Sequence, residues 1–200
     1  SWINSSGDGV DLVYRADGSM QIGINTWPDG SPAQSNAGRI STDGGAAFRK
    51  IWEKSRAGRL WVSGLFADGN NFWVATTDGL LVSTDGGATW ALSAMTGLPE
   101  GAMISSFAGA KKGGAIRFWA VVVDDKSAEL FAYGVGQFTH YKGFYRLDAA
   151  DKQWTNLSAA VPKGHSPVQV AVASGDIDSV WLGGAQRVED PKIRNYFMNY

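Results

Sequence analysis

Asp124, Asp125 and Glu129 stand close together in a stretch that also carries Tyr133, His140 and Tyr141, and Asp29 follows Trp27 in the run "NTWPDGSPAQ". Carboxylates in such company can do two kinds of chemistry. A pair held about 5–9 Å apart can hydrolyse a glycosidic bond, one acid protonating the leaving oxygen while the other activates water or attacks the sugar. Aromatic rings beside acids can also bind without reacting, the ring stacking on the C–H face of a sugar while polar groups take its hydroxyls. The candidate catalytic residues are therefore Asp29, Asp124, Asp125 and Glu129, and the candidate binding residues are Trp27, His140 and Tyr141. The same residues also fit hairpin extensions in which the acids serve turns and the rings pack for stability.

Other chemistries are not written here. The two histidines, His140 and His165, lie 25 residues apart and make no zinc pattern, and the chain has no cysteine to supply thiolates. Phosphate loops, dinucleotide fingerprints and Ser/His/Asp signatures are not found, so neither metal nor cofactor is expected. A net charge of −1, with no basic run beyond Lys111-Lys112, argues against a nucleic-acid surface. No apolar run approaches the ~20 residues that cross a bilayer as a helix. The chain opens at Ser1-Trp2 with neither methionine nor apolar leader, which suggests a processed or excised piece.

The elements that must position these residues come from a repetition. "STDGGATW" at 83–90 nearly copies "STDGGAAF" at 41–48, agreeing at six of eight positions with a spacing of 42 residues. A period of about 40–50 residues carrying a turn and an aromatic marks stacked supersecondary units, propeller blades above all. Twenty-six glycines, nine tryptophans and short Val/Leu/Phe/Trp runs between Asp-Gly turns point to β structure.

A second recurring string phases the units: Phe72-Trp73-Val74, Phe118-Trp119-Ala120 and Val180-Trp181-Leu182, with Val13-Tyr14 as a weaker first member. In the second unit the pattern predicts strands at 60–67, 71–77, 80–84 and 89–94, and in the third at 103–109, 116–123, 143–147 and 153–157. "LDAADKQW" at 147–154 is a degraded copy of the repeated turn. The fourth unit is expected to hold strands at 167–173 and 179–183 and then to stop, leaving "RNYFMNY" as an exposed closing segment. From the strand-two aromatic to the turn aromatic the distance is 17 residues in unit two, 35 in unit three and 34 in unit one. Units one and three thus carry insertions, about 17–38 and 124–143, between their second and third strands.

The pattern Ser-x-Asp-x-Gly-x-x-Trp/Phe, in Ser83, Asp85, Gly87, Trp90 and again in Ser41, Asp43, Gly45, Phe48, resembles the Asp-box or bacterial neuraminidase repeat. That family of β-propellers includes sialidases, xyloglucanase-like glycoside hydrolases, sortilin-like receptors and photosystem assembly factors. The resemblance implies an all-β propeller of four-stranded antiparallel blades, incomplete in this chain, with residues 1–200 forming part of one domain. Its blades would run approximately 1–56, 57–98, 99–161 and 162–200. The box residues are expected to be structural, the short carboxylate accepting N–H groups of its own turn and the glycines supplying positive φ.

In such propellers the box lies away from the ligand side, so the two insertions are expected on the opposite, ligand-facing side. The resemblance implies an extracellular or periplasmic carbohydrate-active protein, a glycoside hydrolase or a piece of one, acting on a polysaccharide or glycan. The alternative is a non-catalytic binding or assembly propeller with a protein partner. Arg15, Arg39, Arg117 and Arg187 lack the Arg-Ile-Pro context of the sialidase arginine triad. Closed rings hold about four to eight blades, so the remaining blades are expected from further sequence or another chain.

Overall fold

The computed structural model describes residues 10–14, 20–24, 37–41, 44–47, 49–53, 62–124, 141–173, 175–190 and 193–199. They fall into two units, 1–93 and 94–200. The first holds β1 (Val10–Tyr14), β2 (Met20–Ile24), β3 (Ala37–Ile40), β4 (Arg49–Glu53), β5 (Val62–Asp68), β6 (Asn71–Thr76), β7 (Gly79–Ser83) and β8 (Ala91–Leu92). The second holds β9 (Met103–Lys112), β10 (Ala115–Val123), β11 (Tyr141–Asp148), β12 (Thr155–Asn156), β13 (His165–Val172), β14 (Val180–Asp190) and β15 (Ile193–Asn199). One 3-10 turn, Ser158–Ala160, is the only helical element among the described residues.

All named strand pairs are antiparallel. Strands β5 to β8 form one four-stranded sheet in chain order, and β9 to β12 form another. Tight connections explain the order: Gly69-Asn70, Thr77-Asp78 and Gly113-Gly114 are two-residue hairpin loops, the first and last opening on glycines at φ +59°. Sheets of this kind, meandering strand by strand and packed face to face, are the blades of a β-propeller, and the fold is all-β as the sequence predicts.

The middle strands show why tryptophan recurs. In β10 every residue from Phe118 to Val123 is buried, so both faces of the sheet are covered, as an uninterrupted apolar run implies. Trp73 stands opposite Phe66 and Val82, and Trp119 opposite Ala108 and Arg146; these rows reach Ala91 and Thr155, each one residue after a turn aromatic. Trp181 stands opposite Ala171. The three tryptophans therefore share one register, on a face we call the front; Phe72 and Phe118 point to the rear.

Each first strand also carries one bulge at the same place. Ser63, Ser105 and Val168 are the unpaired residues, each three positions before the partner of its tryptophan. Ser105 Oγ donates to the Val121 carbonyl at 3.1 Å, which ties down the extra residue there.

In unit one, Ile40 of β3 comes close to the rear of the β5–β8 sheet: a Cβ on Gly87 would meet the Phe72 ring at 3.3 Å and Ile40 at 3.5 Å. In unit two the front of the β9–β12 sheet, with Ala110, Trp119, Val121 and Phe144, packs on Val170, Val172, Val180 and Leu182 of the β13–β14 rear.

Three differences from the sequence reading have physical reasons. The last unit has a third strand, since β15 pairs with β14 from Ala185 to Asp190, so "RNYFMNY" is largely strand and not a tail. The fourth strands are only two residues long, Ala91–Leu92 and Thr155–Asn156, because each chain leaves its sheet soon after the turn aromatic. The first insertion contains β2, which zips onto β1 from Tyr14/Met20 to Val10/Ile24, so that stretch is partly a hairpin.

Candidate functional site

The two ends of unit two differ in chemistry. At one end lie the 148–154 turn, the Gly113-Gly114 hairpin and the β13–β14 connection. Arg117 gathers them: its Nε donates to Asp148 at 2.6 Å, and its Nη1 donates to the Ile177 carbonyl at 3.0 Å and to Asp178 at 3.3 Å. Lys112 adds an ion pair to Asp178 at 3.2 Å.

At the other end lie the close of β10, the start of β11, the 3-10 turn and the start of β13. Asp124 and Tyr141, which flank the second insertion, are both here, opposite the 148–154 turn. Asp124 pairs with Lys142 at 3.5 Å. Tyr141 packs against the unit's core, and burial pushes its phenol above the ordinary value, the Ser158 hydroxyl offsetting part of that. Ser158 Oγ accepts the Phe144 N–H at 3.0 Å, and the Ser158 N–H donates to Asn156 at 2.8 Å. Gly143, at φ +147°, makes room: a Cβ there would lie 2.6 Å from Ser158 Oγ and 2.6 Å from the Tyr145 ring.

Beside this network is a cavity of about 440 Å³ lined by Val161, Pro162, His165, Pro167, Leu182 and the Gly183-Gly184 backbone. Its cause is local. Pro167 precedes the β13 bulge and has no N–H to give, which suits a place where pairing is interrupted. Gly184 lets the strands approach there, because a Cβ would come within 2.9 Å of the Ser166 carbonyl. Pro162 and His165 close the entry turn, the His165 N–H donating to the Pro162 carbonyl at 3.1 Å. The lining is apolar apart from His165, and its volume suits a few side chains of a bound segment.

The other turn singled out from sequence, 83–90, is occupied with itself. Ser83 Oγ donates to Asp85 at 2.8 Å and accepts the Gly87 N–H at 2.9 Å. The Asp85 carboxylate also accepts the Thr89 N–H at 2.9 Å and the Thr89 hydroxyl at 2.5 Å, and these bonds, the hydroxyl's first, hold its pKa down to about 2. Trp90 Nε1 donates to the Gly87 carbonyl at 2.9 Å, and its ring stacks on Phe72 at 6.2 Å. Arg49 reaches the same Gly87 carbonyl from β4. In the earlier copy, Ser41 is buried and its Oγ accepts the Gly45 N–H at 2.8 Å, matching Ser83 and Gly87.

Of the residues singled out from sequence, Asp124 and Tyr141 thus share one end of unit two. Trp27, Asp29, Asp43, Phe48, Asp125, Glu129 and His140 lie outside the described residues. Sequence reasoning missed Pro162, His165 and Pro167 as site residues; the available signal was a proline inside a strand facing a Gly-Gly pair in the next one.

No family model matches the chain, and no curated protein does. Solved structures that match include a chain described as "YCF48 bound to D1 peptide", 12% identical, with a TM-score of 0.46 over 92% of this chain and 49% of that one. The present chain thus spans about half the length of that neighbour.

Proposed function

We propose that this chain belongs to a non-catalytic β-propeller module that binds a protein partner, taking an apolar segment of that partner into the groove at the β13 bulge. The groove carries the reading: prolines, aliphatic side chains and bare glycine backbone form a recess at the end of unit two that also carries Asp124 and Tyr141. Three acids of unit two support it. Asp124 is held by Lys142, and Asp148 and Asp178 by Arg117, so each is neutralised in place and not paired with another acid across a recess. The peptide named with the similar structure is a property of that protein, and the groove stands without it.

The carbohydrate-active reading rests on Trp27, Asp29, Asp124, Asp125, Glu129, His140 and Tyr141; of these Asp124 pairs with Lys142 and Tyr141 packs against the core, and the binding module is preferred because the recess is apolar. Likeness to secreted Asp-box propellers supports an extracellular or periplasmic location.

The test is selection of random peptides displayed on phage against the immobilised chain, with a glycan array in parallel. Apolar peptides should be enriched, and Pro162→Glu, at an exposed groove-edge position, should abolish their binding while the circular dichroism spectrum is unchanged. Glycan binding without peptide selection, or peptides bound equally by the variant, would return the carbohydrate reading.

A further inference from the structure

Trp119 and Trp181 occupy the same front-face register, each opposite an alanine of the first strand, Ala108 and Ala171. Their surroundings are opposite: Trp119 is 3% exposed and Trp181 is 72% exposed. Trp119 is covered by the aliphatic rear of the next sheet, with Val170, Val172, Val180 and Leu182. Around Trp181 the front face carries Gln169, Ala171, Ala173 and Gly183, all without charge. The face is flat, because nothing projects from Gly183 and only Gln169 comes near it. An exposed tryptophan on a flat, uncharged sheet face is unusual for a surface left to water. β15 pairs with Ala185–Asp190 and leaves the Trp181 row alone.

We propose that the Trp181 face is a sheet-docking surface whose occupant is a further blade, a β-sheet with Val, Leu or Ile alternating on its rear, supplied by polypeptide other than these 200 residues. The face continues the stacking interface already formed one sheet earlier, with the same Ala/Trp pair presented to the next layer. A second copy of this chain is the poorer occupant. Among the described residues, the rear faces it could offer are already used: Phe72 and Phe118 are buried, and Val170 lies in the Trp119 cluster.

The experiment labels the chain with 5-fluorotryptophan and assigns the Trp181 resonance by its loss in Trp181→Phe. In the 200-residue chain that resonance should show the solvent isotope shift of an exposed indole, and sedimentation should show a monomer. Appending a tandem copy of residues 149–200 supplies a turn, a fourth strand and one more sheet with an aliphatic rear. The Trp181 isotope shift should then fall to that of Trp119, and Leu182→Asp in the appended copy should restore it. An extended chain that melts cooperatively with Trp181 still exposed overturns the proposal. So does a dimer of the unextended chain that Trp181→Lys dissociates, a result that decides the matter even if the extension does not fold.

Discussion

Trp52 Nε1 donates to the Asp78 carboxylate at 3.0 Å, so the end of β4 is tied to the β6–β7 hairpin of the neighbouring sheet through an indole and a buried acid. The hairpin is itself braced: Thr76 Oγ1 accepts the Asp78 N–H at 3.1 Å and donates to the Gly79 carbonyl at 2.9 Å. Trp52→Phe keeps most of the ring and removes the donor. It should cost about 1–3 kcal/mol, the usual price of stranding a buried polar group. Urea unfolding reads this directly, and an unchanged midpoint would show that the bond contributes nothing.

The Asp85 turn should give the protein an acid-sensitive contribution. Its pKa is lowered from 3.8 to about 2, first by the Thr89 hydroxyl and then by the Thr89 N–H. A depressed folded-state pKa stabilises above the unfolded value and loses that effect as pH falls through the folded one. The melting temperature should therefore drop as pH falls from about 4 through about 2, with Asp85→Asn lower than wild type at pH 6 and the gap between them closing toward and below pH 2. A gap between the two that does not change with pH would remove the carboxylate from the explanation.

Gly143→Ala should be strongly destabilising, because the new methyl meets Ser158 Oγ and the Tyr145 ring at 2.6 Å with φ at +147°. Overpacking and backbone strain together suggest about 2–4 kcal/mol. Gly114→Ala is the control, since a Cβ there meets nothing within 4 Å. Equal melting temperatures for the two variants would contradict the packing described.

Arg117→Met removes the hub of the ion-pair end while keeping much of the stem. With its side chain 20% exposed and three acceptors lost, the variant should lose about 1–3 kcal/mol. Amide exchange should rise first at 175–179. Uniform acceleration across unit two would mean that Arg117 supports the whole core and not that connection.

The blade rhythm was legible because it is written locally. Trp73, Trp119 and Trp181 each sit in a short apolar run, and the strands they mark are the middle strands found. β15 was not legible, because "IRNYFMN" follows no box-like turn and its pairing with Ala185–Asp190 is set by a hairpin that carries no Asn-Gly or Asp-Gly signal. The groove was hidden for a related reason. It needs Pro167 to meet Gly184 across a bulge, a contact between residues 17 apart that no local pattern announces. The 147–154 turn shows a third limit: it has the length of 83–90, with Leu147 where Ser83 stands, but Asp148 answers to Arg117 and not to its own backbone.

The Arg117 cluster binds the two sheets of unit two as a spine binds pages, while the groove at the other end is lined by prolines, aliphatic side chains and glycine backbone. Ionic strength and apolar solutes therefore pull on different edges of the same book. Added salt screens the exposed Lys112 and Asp178 charges of the spine and acts little on the apolar groove. An apolar guest in the groove touches β13, β14 and the 161–162 segment and no residue of the spine, so it can enter without breaking the binding.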